Sequence, residues 1–363
     1  MSTTGNNADE YCRLCPRRCG ANRRVNPGYC GAPDALRVSR VSRHMYEEPP
    51  ISGKRGSGTV FFSGCSMGCV FCQNGELSRD CLGEDITLER LSEIFLMLDA
   101  SGVHNINLVT PTHYTDKICE ALAAVKHRLT IPVVWNSSGY ELPETLAMTE
   151  GLVDIYMPDF KYVSPELSAR YSDAPDYAEY AARSLEFMFK MLGDPVFDGN
   201  GDVSGDPRGL LRRGVLVRHL VLPGCRKDSV EVLRLIARTV PADKVLLGLM
   251  SQYTPDFYSG DVKGLHRRVT TFEYESVRDE ALRLGFDGYM QDPTSATTAF
   301  TPAFTEKLTF DLDPRPAPQN LDKREQKIYN IVNITAKLGG LRSGEAFLRT
   351  KIMKKEKQNE RYI

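Results

Sequence analysis

The stretch Thr59-Val-Phe-Phe-Ser-Gly-Cys65-Ser-Met-Gly-Cys69-Val-Phe71-Cys72-Gln-Asn74 decides how the rest of the chain is read. Its first four residues are β-branched or aromatic, which marks a short buried strand, and the cysteines follow directly past the strand's end. A 4Fe-4S cluster normally takes four thiolates. Three on one short loop leave one iron free for an exogenous ligand, by the same logic that separates catalytic from structural zinc sites. A zinc knuckle is the alternative. It would need a fourth ligand, and within ten residues of Cys72 only Cys81 qualifies, beyond the polar turn Gln73-Asn74-Gly75.

Outward from this loop, short apolar runs alternate with amphipathic stretches. A helix is predicted from Thr87 to Leu98, with Thr87 as N-cap and Leu88, Leu91, Ile94, Phe95 and Leu98 on one face. Predicted strands follow at 105–109, 131–135, 153–157, 215–222 and 245–250, with a last extended segment at 286–291. The intervening helices fall at 116–127, 177–192, 229–240 and 272–284, and 193–209 reads as a Gly/Asp-rich insertion. Strands joined by helices of this length form right-handed βαβ units and a parallel sheet, with every strand C-terminus on one face. Function is expected at that face.

Several residues crowd those strand ends. Thr110-Pro-Thr112 follows the second strand, Asn136-Ser137 the third, and Asp159-Phe-Lys161 the fourth. Arg218 lies in the fifth, within an almost wholly apolar run, and Gln252 follows the sixth. Asp159 and Lys161 could equally make a structural ion pair.

The chain has 363 residues, a formal net charge of −1 and ten cysteines. That length allows one barrel-sized domain with appendages, and the near-zero charge gives no global footprint for nucleic acid. The polar N-terminus predicts no signal peptide and no run is long enough to span a bilayer, so a cytoplasmic protein without membrane partners is expected. Seven of the cysteines fall in two tight groups, which signals metal rather than disulfides. The second group is Cys12, Cys15, Cys19 and Cys30. Four thiolates can close a site around zinc or a second iron-sulfur cluster, and spacing does not distinguish the two. Cys119 reads as core, while Cys81 and Cys225 follow strand-end loops. Beyond Pro314-Arg-Pro-Ala-Pro318, residues 323–363 carry 11 Lys+Arg against 4 Asp+Glu. A solvated basic helical tail is expected there, and an RNA-binding role is not, because aromatics for base stacking are nearly absent.

The cysteine loop, with Phe71 before its third cysteine, resembles the radical S-adenosylmethionine superfamily. Together with Cys12-x2-Cys-Pro-Arg-x-Cys-Gly-x-Asn-Arg23, Val109-Thr-Pro-Thr-His-Tyr114, Tyr171-Ser-Asp-Ala-Pro-Asp-Tyr177, Val217-Arg-His-Leu-Val-Leu-Pro223 and Ser251-Gln-Tyr-Thr-Pro255, it is similar to a group named after pyruvate formate-lyase activating enzymes. True activating enzymes lack the N-terminal cysteine segment.

The resemblance implies a partial (β/α)6 barrel, and the count of six units agrees with it. It divides the chain into a four-cysteine segment (1–56), a barrel (57–311) and a linker with basic extension (312–363). It also implies reductive cleavage of S-adenosylmethionine at a 4Fe-4S cluster on Cys65, Cys69 and Cys72. The resulting 5′-deoxyadenosyl radical would abstract hydrogen from a small molecule or from a glycyl-radical protein partner. A reducing protein such as flavodoxin or ferredoxin would supply the electron. Phe71, Thr112, Asn136, Ser137 and Arg218 would then serve the cofactor, and Asp159, Lys161 and Gln252 the substrate. Most relatives carry Gly-Gly-Glu where this chain has Thr110-Pro-Thr112, and often a histidine at the position of Gln252. The rival class is a non-catalytic iron-sulfur electron carrier, which needs neither an open iron nor six βα units.

Overall fold

The computed structural model describes residues 11–204, 206–258, 260–262, 264–291, 296 and 301–312, together with the backbone of 332–333. The predicted linker and basic helical tail, 313–363, lie outside the described residues apart from that two-residue strand.

Twelve strands make up the sheet: β1 (Leu36–His44), β2 (Ser57–Phe62), β3 (Glu84–Ile86), β4 (Ile106–Val109), β5 (Val133–Ser137), β6 (Ile155–Pro158), β7 (Val196–Phe197), β8 (Leu211–Leu220), β9 (Leu246–Met250), β10 (Asp287–Met290), β11 (Thr309–Asp311) and β12 (Val332–Asn333). Their order is β11-β1-β2-β4-β5-β6-β8-β9-β10-β12, with β3 attached to β1 and β7 to β8. From β2 to β10 every neighbouring pair in that order is parallel. Six helical crossovers therefore link seven parallel strands, as the alternation predicts. β2, β4, β5, β6 and β9 are buried throughout, the mark of parallel strands covered on both faces. Phe61 of β2 and Tyr289 of β10, from opposite ends of the parallel run, line one cavity. The sheet thus curls into a partial barrel.

Local chemistry sets the element ends. The Thr87 hydroxyl accepts from the Arg90 amide to start helix Leu88–Ala100. Thr270 and Glu273 form a reciprocal capping box at helix Thr271–Leu284. The third strand begins at Val133 and not at Ile131, because Pro132 has no N–H to give the ladder; its carbonyl instead accepts from Ile106 N at 2.9 Å. The shift carries the strand through Asn136 and Ser137, which are strand residues and not turn residues. β8 starts at Leu211, four residues ahead of expectation, because β7 in the 193–209 insertion pairs back onto it.

β1 lies in the stretch assigned to the cysteine segment, yet it runs antiparallel to β2 and extends the main sheet. It also receives β11 in parallel. The residues just after it, Glu47 and Glu48, are delivered by this pairing to the barrel interior.

Candidate active site

A cavity of about 280 Å³ opens at the C-terminal ends of the strands. Cys65, Cys69, Phe71 and Cys72 line it from the loop after β2, and Asn136, Ser137, Asp159, Lys161, Arg218 and Gln252 from the strand ends. Nine predicted site residues besides Cys72 thus share one space, the face on which barrel enzymes set their chemistry. Thr112 does not. It is buried behind the wall, where its hydroxyl donates to Glu141 Oε1 at 3.0 Å. Thr110 lines the cavity in its stead, with a φ of 59°. A β-branched residue in that region is strained, a cost that the amide bond from Thr110 N to Asn136 O (2.9 Å) helps offset.

A charged network crosses the cavity. Arg218 donates through Nε to Asp159 Oδ1 (3.1 Å), through Nη1 to Glu47 Oε2 (3.1 Å) and through Nη2 to Asn136 Oδ1 (2.6 Å). Lys161 Nζ donates to Asp159 Oδ2 at 2.6 Å, and Asn107 Nδ2 to Glu47 Oε1 at 3.0 Å. Burial alone would push the Asp159 carboxyl up, but the charges of Lys161 and Arg218 outweigh it and hold the carboxyl below its usual range. Burial likewise opposes the charge on Arg218, and Asp159, Glu47 and Glu48 more than restore it. Glu48 behaves differently. Burial pushes its carboxyl up to about 7, against the pull of Arg218 and with the push of Glu47.

The Asp159 backbone is set by a close approach. A Cβ on Gly139 (φ 75°) would sit 2.3 Å from the Asp159 carbonyl oxygen, so no larger residue fits there. Behind Ser137, Glu141 accepts from Ser137 Oγ (2.5 Å) and Trp135 Nε1 (2.8 Å) as well as from Thr112. It ties β5 to the 110–114 turn. On the other side Phe71 packs edge-on against Tyr171 and Tyr253, each with ring centroids 6.2 Å away. Gln252 accepts from Gln291 Nε2 at 2.9 Å, which links the ends of β9 and β10.

Sequence reasoning passed over Glu47, Glu48, Thr110 and Glu141. The first two precede the predicted barrel and reach it only through β1. The acidic residue two places past Gly139 was the available signal for Glu141.

The cysteine loop offers a donor set suited to an iron-sulfur cluster. Burial raises the Cys65 thiol to about 12, and the Cys69 and Cys72 sulfurs, which line the same cavity, add to the rise. Ser172 Oγ donates to Cys69 Sγ at 2.9 Å and Met67 N to Cys65 Sγ at 3.4 Å, the kind of bond that tunes cluster sulfurs. A cubane puts each thiolate on a different iron, so its ligands do not meet at one point. Among the described residues no group of three or more His, Cys, Asp or Glu side chains is gathered as for a single metal ion.

Burial chiefly pushes the Cys15 thiol up to about 12 and raises that of Cys30, and the neighbouring cysteines of the quartet add to both. None of the four lines the cavity. Their segment is bound to the back of the cysteine loop. Cys65 N donates to Cys30 O at 3.0 Å, while Arg17 donates to Ser66 O and Ser172 O at 2.8 Å each and to Asp173 O.

Residues 59–192 match the family model described as the Radical SAM superfamily. The superfamily's general chemistry is cleavage of S-adenosylmethionine at an iron-sulfur cluster to generate a radical. An uncharacterized protein of Methanocaldococcus jannaschii, MJ0674, is 27% identical over 292 residues, covering 77% of each chain. Among solved structures, methylornithine synthase (PylB) is 14% identical with a TM-score of 0.44, over 80% of this chain and 85% of that one. Streptococcus suis SuiB bound to S-adenosylmethionine is 13% identical with a TM-score of 0.41, over 63% of this chain. The match spans 48% of SuiB's own length. No helix among the described residues is long and apolar enough to cross a membrane.

Proposed function

We propose that this chain is a radical S-adenosylmethionine enzyme acting on a small molecule, with Cys65, Cys69 and Cys72 as the three ligands of a 4Fe-4S cluster. The observation that carries this reading is the convergence of those cysteines with six polar strand-end side chains on one cavity of about 280 Å³. When bound, the cluster supplies the electron that cleaves the sulfonium cofactor, and an external reducing protein such as flavodoxin or ferredoxin replenishes it.

The protein's part is to bind, orient and exclude water. Asn136, Ser137 and Arg218 are assigned to the cofactor together with Phe71, whose ring closes the cysteine side of the cavity. Thr110 takes over the place first given to Thr112, because only the former reaches the space. Asp159, Lys161 and Gln252 are assigned to the substrate. The N-terminal quartet is proposed as a separate, structural metal site, zinc or a second iron-sulfur cluster, which would order the 1–56 segment against the back of the loop. Ten free thiols favour a reducing compartment such as the cytoplasm.

The size of the cavity and its buried charges favour a small molecule over a glycine on a partner protein. A protein loop would have to leave several buried charges facing its backbone. Anaerobically reconstituted protein should form 5′-deoxyadenosine and methionine from S-adenosylmethionine in the presence of dithionite, and Cys69→Ala should reduce this to background. Turnover that survives the substitution would remove the assignment.

A further inference from the structure

Three carboxylates face the cavity, and two are fully engaged. Both Glu47 oxygens accept, from Arg218 and Asn107, and both Asp159 oxygens accept, from Arg218 and Lys161. Glu48 is only 7% exposed, yet its Oε2 meets no donor among the described residues. Asn107 Oδ1, one hydrogen bond away from Glu47, is a second buried acceptor without a donor among the described residues.

The charges tell the same story. Glu47 and Asp159 balance Arg218 and Lys161, so an ionised Glu48 has no counter-ion left among the described groups around it. Those groups are Arg218 from β8, Asp159 after β6, and Glu47 beside it on the chain. On β1, His44 is held neutral chiefly by burial. The fold nevertheless makes room for this carboxylate: opposite it on β9 stands Gly248, where a Cβ would come within 2.5 Å of Glu48 Oε1. Phe61, Val109, Leu220 and Met250 supply apolar wall in the same cavity.

We propose that the substrate carries a protonated amine on an aliphatic chain and that Glu48 is the side chain that holds it. This rests on the small-molecule reading above. A buried carboxylate short of a donor and of a counter-ion is completed by a group that brings both, and an ammonium does. At the other end of the network the Lys161 charge acts on the Cys69 thiol, which lines the same cavity. An amine on Glu48 would therefore leave the remainder of the chain pointing toward the cysteine loop. Ammonium binding needs Glu48 ionised, and its carboxyl sits near 7 until the cation arrives.

Titration of reconstituted protein with n-butylammonium, followed by saturation-transfer difference NMR with 1-butanol as the neutral isostere, tests this. Affinity for the cation should rise about tenfold from pH 6 to pH 8, the change in ionised fraction of a group titrating near 7, while 1-butanol shows no such rise. Glu48→Gln should abolish both the rise and the preference for the cation. Gly248→Ala should weaken cation binding with no change of charge, which guards against a Glu48 variant that misfolds. Equal binding of the cation to wild-type and Glu48→Gln protein, or no preference over 1-butanol, or no binding at all, would overturn the inference. Formation of 5′-deoxyadenosine is measured on the same wild-type sample. If it persists without ammonium binding, only this inference fails; if it is absent, the radical reading fails on its own account.

Discussion

The two cysteine groups touch each other, yet they differ in what lies on their far side. The Cys65–Cys72 loop faces the cavity at the strand ends, with Lys161, Asp159 and Arg218 arrayed across from it. The N-terminal quartet faces away, and its segment meets the loop through backbone bonds and Arg17. On the proposed assignment, a density of cysteines is therefore not what marks the reacting site. Position is: one group sits at the C-terminal ends of parallel strands, the other on a segment that backs it.

This contrast is broken most sharply by exchanging the cysteines one at a time. Cys69→Ala is expected to reduce cleavage of S-adenosylmethionine to background, whereas Cys15→Ala should leave it within about tenfold of wild type, the size of an outer-layer effect. Equal losses in a 5′-deoxyadenosine assay on folded protein would erase the distinction.

The cavity side is sharpened through Arg218, which serves two proposed roles at once. Arg218→Ala leaves Glu47, Asp159 and Asn136 buried without their shared donor, and should lower unfolding stability by about 3–5 kcal/mol. It should also weaken S-adenosylmethionine binding about tenfold, since a charge-assisted bond contributes about 1.5–3 kcal/mol. Asp159→Ala should leave slow uncoupled cleavage nearly intact. Because the two side chains bond directly, a double-mutant cycle on stability should return a coupling of about 0.5–3 kcal/mol, and a value near zero would separate them.

On the outer side, Arg17→Ala removes one bond to the cysteine-loop carbonyl of Ser66, two to the carbonyls of Ser172 and Asp173 at the end of helix Pro165–Ser172, and the stacking of its guanidinium 3.9 Å over the Tyr29 ring. A stability loss of about 2–3 kcal/mol in denaturant titration is expected, with the cavity's ligands unmoved.

The smallest effect expected is a slope with pH. Glu48 is raised in the folded state from 4.5 to about 7, so the folded protein holds a proton that the unfolded chain has released. That contribution is full below pH 4.5 and is lost as pH rises through 7. Between pH 5.5 and pH 8 the loss amounts to about 2 kcal/mol, and Glu48→Gln should remove it. A variant that keeps the wild-type slope would show that Glu48 is ionised throughout.

The seven parallel strands were legible because buried strands in βαβ units are continuous β-branched runs, and because the helices between them carry a 3.6-residue apolar period. Cys65, Cys69 and Cys72 were legible for a local reason as well, since one short loop holds all three. The long-range parts were not. β1 reads as Leu36-Arg-Val-Ser-Arg-Val-Ser-Arg-His44, with a register shift between Val38 and Arg40 that interrupts its alternation. Polar residues between the apolar ones also masked its place in the sheet. Glu47 meets Arg218 across 171 positions of sequence, a partnership no local pattern encodes. Thr112 was two residues from Thr110, and only the left-handed turn at Thr110 decides which of them sees the cavity.

The central claim is an iron left open by three thiolates, which separates a catalytic cluster from an electron carrier whose cluster is closed. Electron paramagnetic resonance of dithionite-reduced protein, titrated with S-adenosylmethionine, reads that iron directly. The account predicts that the cluster signal changes line shape and g-values as the cofactor binds, and that Cys12→Ala and Cys15→Ala variants show the same change. A 4Fe-4S signal that stays identical at saturating cofactor would contradict it.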